Sequence, residues 1–408
     1  MGAGLALVIA SCGSPPREIP SPLSAVPETA TGDAGVATAG VATAAGASGS
    51  ASGATLDAGV AIATDGASPP SVAFGTIADR LELTFTGDIM FGGTFGGKWR
   101  PQDAPDDFDP LAAIAPQLKS DLALINLETT VVNKIPIDKL IGNLRFAARP
   151  DQVATLPRNG VKVVTIANNH ACDLDGPGVV ETSTRLRELG ITAIGAARTE
   201  GPLLRVETVE VRGWRIGFIA ATTRLNRSQA KGDPKVPLVA EKDFANTVVP
   251  LVKAARADHD LVFVVVHWGI QYADDPESWQ VEAAHAIIDA GADGLIGHHP
   301  HILHRLERYK GGIIAYSLGN FLFNNALPLQ RNTAVLRLGF SHAKHCLDLV
   351  ALHPAAIFPA PVHHPQPAKG SMFEEIVERT TRLSRKGPHP TQLTVEGDRI
   401  VAPSACPR

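Results

Sequence analysis

The chain has 408 residues, 44% hydrophobic and 19% charged, which is enough apolar content to bury a substantial core. Its formal net charge is −4 and no basic stripe runs along it, so composition excludes nucleic acid as a partner. That apolar content is uneven, because residues 1–75 are dominated by Ala, Gly, Ser, Thr and Pro.

Residues 1–12 form an apolar run too short to span a bilayer, ending in Ile9-Ala-Ser-Cys12. That ending resembles a bacterial lipobox. It implies cleavage before Cys12, lipidation of that cysteine, and an exported, membrane-anchored lipoprotein facing the periplasm or the cell exterior. No Lys or Arg precedes the run, a departure from the usual signal peptide. Gly13 stands where an inner-membrane retention signal has Asp, which favours the outer membrane in a two-membrane cell. Residues 13–75 cannot bury enough apolar surface to offset their ordering entropy and read as a disordered tether. With Cys12 lipidated, three cysteines remain, and a Cys346–Cys406 pair would staple the tail.

The folded part is expected over 78–345, with 346–408 as an extension closing the domain. Arg80–Thr86 alternates as a strand should and turns at Gly87-Asp88. A short helix is expected over Pro110–Leu118, a strand over Asp121–Asn126 leading to Glu128, and a helix over Asp151–Leu156. A third strand, Val161–Ala167, ends in Asn168-Asn-His170. Val179–Leu189 has helical spacing and stops at Gly190. Strands follow at Ile191–Ile194 and Trp214–Ala220, then a helix at Glu241–Ala257 with a kink or break at Pro250. The intervening Ala221–Ala240 is polar and carries Arg224, Arg227, Lys231 and Lys235. It is either a solvated loop or an insertion whose cations meet an anionic substrate.

Leu261–Val266 is a buried-strand run delivering His267-Trp-Gly269; Gly294–Gly297 delivers His299 and His301; Gly312–Ser317 opens into Asn320. The His-x-His leaving a strand is expected to point both rings the same way. Beyond Phe323, strands are expected at Asn332–Phe340 and Leu347–Leu352, an amphipathic helix at Met372–Leu383, and a hairpin over Thr391–Val401 turning at Glu396-Gly-Asp398. The tail is assigned no chemistry, and His353, His363 and His364 are expected at the surface. Alternation of strand and helix predicts a layered α/β domain with parallel strands, whose carboxyl edge is where ligands sit.

Asp88, Glu128, Asn169, His170, His267, His299 and His301 all follow strands. Two carboxylates, one amide oxygen and several imidazoles suit Mn, Fe or Zn better than Ca²⁺, and are enough for two ions if one carboxylate bridges. Such a pair could hold a hydroxide for a phosphoryl displacement.

Asn168-Asn-His170 with Asp173, His267-Trp-Gly269 with Tyr272, Gly297-His-His-Pro-His301 and Tyr316-Ser-Leu-Gly-Asn-Phe321 resemble the motif series of bacterial capsule-synthesis proteins of the CapA type, the poly-γ-glutamate biosynthesis family. Gly87-Asp-Ile-Met90 and Asn126-Leu-Glu128 resemble that family's two opening motifs. The resemblance implies a four-layer α/β/β/α sandwich of the calcineurin-like metallophosphoesterase type. It also implies a metal shell of Asp88, Glu128, Asn169, His267, His299 and His301, with His170, beside Asn169, as the catalytic acid. Asn168, Asp173, Tyr272 and Asn320 would orient ligands or substrate. Three positions depart from pattern: Met90 stands where the wider superfamily has a His ligand, Gln271 where Glu is usual, and Asp175 where Gly is usual.

The resulting expectation is a membrane-anchored hydrolase of capsule or poly-γ-glutamate synthesis, cutting a phosphoester or related bond, an amide included. Its partners would be that substrate, the membrane through Cys12, and other polymer-synthesis proteins. The other reading is a non-catalytic accessory that binds an anionic polymer such as poly-γ-glutamate during synthesis or export.

Overall fold

Apolar strand runs separated by helices fold into two sheets in the computed structural model, which describes residues 77–408 apart from 96–97, 102–104, 106–107, 141–143, 197–201, 230–234, 325–326, 405 and 407–408. The expected lipobox with Cys12, the expected tether and Lys231 therefore lie outside the described residues. In chain order the first sheet begins with β1 (Arg80–Ile89), β2 (Leu122–Leu127), β3 (Val161–Thr165) and β4 (Thr192–Ile194). The second sheet comprises β5 (Glu207–Val211), β6 (Trp214–Thr222), β7 (Leu261–His267), β8 (Gly294–His298), β9 (Leu306–Tyr309) and β10 (Gly312–Ala315). The chain then returns through β11 (Asn320–Leu322), β12 (Asn332–Ser341), β13 (Cys346–Phe358), β14 (His364–Pro367), β15 (Thr394–Glu396) and β16 (Arg399–Ala402).

The ten-stranded sheet runs β15-β16-β13-β12-β1-β2-β3-β4, with β11 beside β1 and β14 beside β13. The six-stranded sheet runs β9-β10-β8-β7-β6-β5. Within each sheet, the central strands β1 to β4 and β6, β7, β8 and β10 are parallel to one another, so their carboxyl ends share one edge.

Both faces of these strands are apolar, as parallel strands covered on both sides require. Leu81, Leu83 and Phe85 of β1 pack against Ile216, Phe218, Phe263, Val265 and Ile296 of the other sheet, with the Phe85 and Phe263 rings 5.3 Å apart. Phe263→Ala there would cost about 3–5 kcal/mol. The outer face of the large sheet is covered by α1 (Asp175–Glu188) through Val179 and Leu186 and by the one-turn helices Ala115–Leu118 and Thr155–Arg158. That of the small sheet is covered by α2 (Phe244–Ala255) and α3 (Ser278–Asp289), through Phe244, Val248, Ala284 and Ile287. The result is the expected α/β/β/α order. The tail helix α4 (Ser371–Ser384) adds Ile376 to the core between the sheets, with Met372, Phe373 and Val377 packed against it.

Several boundaries differ from the sequence reading. β1 does not turn at Gly87 but continues to Ile89, because Asp88 pairs in parallel with both Asn126 and Asn320. The helix expected over 110–118 is confined to 115–118, and that over 151–156 breaks into Pro150–Val153 and Thr155–Arg158. Pro250 does not break α2, which runs through it after a 3₁₀ turn at Glu241–Asp243. Strands β5, β9, β11 and β14 were not foreseen. The tail histidines are not all at the surface: His364 is buried, its Nδ1 2.8 Å from the Val362 carbonyl, and His353 and His363 are half-buried. Cys346 and Cys406 form the expected disulfide, and Cys172 is a buried thiol.

Candidate metal centre

The carboxyl ends of the two sheets meet around Asp88, which is fully buried. Its Oδ1 accepts from Asn126 Nδ2 at 2.8 Å and from His298 Nδ1 at 2.9 Å, and its Oδ2 from the His299 amide at 3.2 Å. The close approach needs glycine before it, since a Cβ on Gly87 would lie 2.0 Å from the Gly319 carbonyl oxygen. Gly297 is under the same demand, with Tyr316 O at 2.1 Å from a built Cβ.

His267 ends β7 and His298 ends β8, side by side in register. His299 and His301 lie beyond the strand with positive φ, 98° and 59°, rather than alternating along it as the His-x-His pattern suggested. Non-glycine residues there cost about 1–3 kcal/mol each, which the surrounding contacts must offset. Those contacts are specific. His299 Nδ1 lies 3.0 Å from His267 Nε2, and His301 Nδ1 donates to Asn320 Oδ1 at 2.8 Å, leaving its Nε2 for a ligand. Glu128 Oε1 is 3.1 Å from His267 Nε2.

Beside this cluster, His170 Nδ1 lies 2.7 Å from Asp173 Oδ2 and its ring stacks 3.8 Å from Phe146. Asn226 faces His170 Nε2 at 3.1 Å, and accepts on Oδ1 from Asn169 Nδ2 at 3.2 Å. Asn169 Oδ1 is thereby turned away from its amide partner. Asn168 braces the turn, donating to Asn126 Oδ1 and the Leu127 carbonyl and accepting from the His170 amide. Tyr272 stands at the rim, half exposed, its ring 6.0 Å from His301.

Orphaned polar atoms mark the place of a cation. Both Glu128 oxygens, Asn169 Oδ1 and His298 Nε2 are buried and make no hydrogen bond among the described residues. A buried carboxylate in that condition is costly unless it is neutralised or coordinates a metal. Ligand atoms of Asp88, Glu128 and His267 lie within 4.8 Å of one another. This mixed oxygen and nitrogen set fits a divalent ion of the Mn, Fe or Zn class.

The electrostatics agree. Burial alone would raise Asp88, but the hydrogen bond and charge of His298, with His301 and Asn126, outweigh it and hold the carboxyl below its usual range. Burial drives Glu128 well above its usual value, and the negative charges of Asp88 and Asp173 add to the push. Burial, reinforced by neighbouring imidazoles, holds His267 far below 6.5 and takes His299 down to about 3. Neutral imidazoles are what a metal requires.

Above the cluster opens a cleft of about 960 Å³, lined by Arg224, Asn226, Arg227, Lys235, Gln271 and His299 among others. The polar segment after β6 is thus a wall of the site. Arg227 pairs with Asp175 at 3.2 Å and Arg224 with Glu241 at 2.9 Å. Met90 is buried with Phe146, Phe323 and Ile357 in an apolar cluster.

All six residues expected to hold metal are thus brought to one strand edge, with His170, Asn168, Asp173 and Asn320 around them. His298, Asn126 and Asn226 were not foreseen. His298 and Asn126 stand inside quoted motifs, and strand alternation turns them toward Asp88; nothing in the polar segment singled out Asn226.

Two stacked sheets whose strand ends enclose buried histidines and carboxylates define a layered α/β protein with a candidate metal centre at one sheet edge. The model of the family described as bacterial capsule synthesis protein PGA_cap matches residues 82–325, and the chain belongs to that family. It is 29% identical over 294 residues to the capsule biosynthesis protein CapA of Bacillus anthracis, covering 70% of each chain. It is 30% identical over 263 residues to the PGA biosynthesis protein CapA of Bacillus subtilis, covering 64% of this chain and 67% of that one. Among solved structures, a 5'-nucleotidase from Candida albicans aligns with a TM-score of 0.36 at 12% identity, over 64% of this chain and 48% of that one.

Proposed function

We propose that the chain is a metal-dependent hydrolase of capsule or polyglutamate synthesis, acting outside the cytoplasm on a phosphoester or related bond while anchored through Cys12. The observation that carries this reading is the unpartnered Glu128 carboxylate, buried 3.1 Å from His267 and facing Asp88 across the strand ends. Asp88, Glu128, Asn169, His267, His299 and His301 would hold one or two divalent ions. Such ions supply Lewis acidity toward a phosphoryl oxygen and lower the pKa of a water. Asp173 fixes the His170 ring through Nδ1, so that Nε2 exchanges Asn226 for the leaving oxygen and delivers a proton to it. Arg224, Arg227 and Lys235 meet the anionic substrate at the mouth. Among the described residues no helix is long and apolar enough to cross a membrane.

The test is His170→Ala in the metal-loaded chain against a chromogenic phosphoester. Turnover should fall by about 10²–10⁴-fold with metal content unchanged. Full turnover in the variant would remove the acid assignment; no turnover by the native chain with any of Mn²⁺, Fe²⁺ or Zn²⁺ would remove the phosphoesterase reading.

A second reading, an accessory that binds an anionic polymer without cutting it, is favoured by the cationic wall and by Met90 in place of a ligand. Binding of poly-γ-glutamate by the metal-free chain, lost on Arg224→Glu with Arg227→Glu, would support it.

A further inference from the structure

Glu307 lies on β9, the edge strand of the small sheet, and its side chain is almost fully buried. Its Oε2 is occupied, accepting from the Tyr316 hydroxyl at 3.0 Å with Arg305 Nε at 3.6 Å. Its Oε1 points the other way, 2.6 Å from His285 Nε2 on α3. His389, on the exposed segment after α4, completes the group: donor atoms of all three side chains lie within 4.8 Å of one another.

Both imidazoles are held in place. His285 stacks on Tyr309 at 4.1 Å, and His389 meets Tyr309 at 4.7 Å and His285 at 5.1 Å. The segment carrying His389 is pinned at both ends to the outer edge of β9, where the Leu306 amide donates to Ser384 Oγ and the Arg308 amide to Thr391 Oγ1. Little ordering entropy therefore remains to be lost when His389 takes a ligand.

We propose that His285, Glu307 and His389 form a second divalent-metal site, of the zinc class, that clips the segment after α4 onto the small sheet. Two imidazoles and one carboxylate are a zinc ligand set, with the fourth position left to water on the exposed side of His389. Zinc at ligand distances near 2.0–2.1 Å needs the His285 and Glu307 donor atoms about 3.3 Å apart, a slide of the imidazole across Tyr309. The alternative is a plain His285–Glu307 ion pair against which His389 merely packs.

The experiment uses the untagged full chain, stripped with chelator, and zinc itself as the probe. Uptake is followed by calorimetry and by metal content after desalting, in His299→Ala, which disables the central cluster, and in His299→Ala with His389→Ala. The first should retain about one equivalent of zinc, and the second should lose it or weaken at least tenfold. Zinc should also slow tryptic cleavage after Lys386 in the first and not in the second. Because His389 is exposed, its substitution leaves the fold intact, which a thermal melt checks. Equal zinc uptake by the two variants, or no uptake by either, overturns the proposal, as does cleavage after Lys386 that zinc leaves unchanged.

Discussion

Asp88 and Glu128 leave neighbouring parallel strands and are both fully buried, yet their surroundings push the two carboxyls in opposite directions. Asp88 accepts from Asn126, His298 and the His299 amide, whereas Glu128 accepts no hydrogen bond among the described residues. One carboxylate is therefore held by hydrogen bonds, and the other is buried without them. Environments that separate two carboxyls in this way are how sites divide roles between like groups.

Glu128→Gln should accordingly stabilise the metal-free chain, by about 1–3 kcal/mol, because it removes a buried acid group that makes no hydrogen bond. The same change should weaken metal binding at least tenfold. Asp88→Asn should do the reverse to stability, since its amide would face the His298 donor, and should also lose metal. Melting both variants in chelator and measuring their metal content after loading distinguishes the two; a Glu128→Gln variant less stable than the native metal-free chain would sink the argument.

Asp173→Asn tests how His170 is held. The carboxylate accepts from the Phe146 amide at 2.6 Å and faces His170 Nδ1 at 2.7 Å through the same oxygen. An amide that keeps its oxygen in that place still accepts from both, but it lacks the negative charge that the carboxylate sets beside the ring that gives up the proton. Phosphoester turnover should fall by about 10²–10⁴-fold with KM and metal content nearly unchanged. A shift in KM alone would show instead that Asp173 acts on substrate binding.

How much of this was legible follows from the strands themselves. β2 and β7 are continuous apolar runs that end abruptly in polar residues, so Glu128 and His267 announce their place at a ligand edge. Asp88 was legible as a residue but not as part of a strand, because its pairing with Asn320 joins positions 232 apart in sequence, which no local pattern carries. His299 and His301 were legible by type, while their left-handed backbone was not, since it is imposed by the Asp88 and Asn320 contacts. The tail was misread for a related reason: His364 acquires its surroundings only when β13 and β14 pair.

Arg379 shows how the tail supports the centre. Buried on α4, it donates through Nε to the Leu303 carbonyl at 3.1 Å and through its terminal nitrogen to Asp274 at 2.8 Å. Leu303 belongs to the loop that carries His299 and His301. Arg379→Met should cost about 1–3 kcal/mol by leaving that carbonyl unpaired, and should weaken metal binding along with the loop. Lysine should restore little, because it lacks the two-armed fork. A melt and a metal titration on both variants check this; unaltered metal affinity in a destabilised Arg379→Met chain would confine Arg379 to holding α4.

Acid should unfold the metal-free chain from the histidine side. Burial takes His299 down to about 3 and His304 to about 4, the latter partly offset by its contact with the Ala273 carbonyl. Both are neutral in the folded protein and protonate in the unfolded chain near 6.5. Between those values the unfolded state binds more protons, so stability is complete above about pH 6.5 and is lost as pH falls toward 4. Each group contributes a slope of up to about 1.4 kcal/mol per pH unit. Glu128 opposes them, because its raised carboxyl binds a proton in the folded state that the unfolded chain has already released. Glu128→Gln should therefore steepen the acid loss and His304→Gln should flatten it, each by about one proton's slope. Denaturant melts from pH 4.5 to 7.5 in chelator measure this directly, and a native stability curve that rises as pH falls across that window would mean that Glu128, not the histidines, governs the metal-free centre.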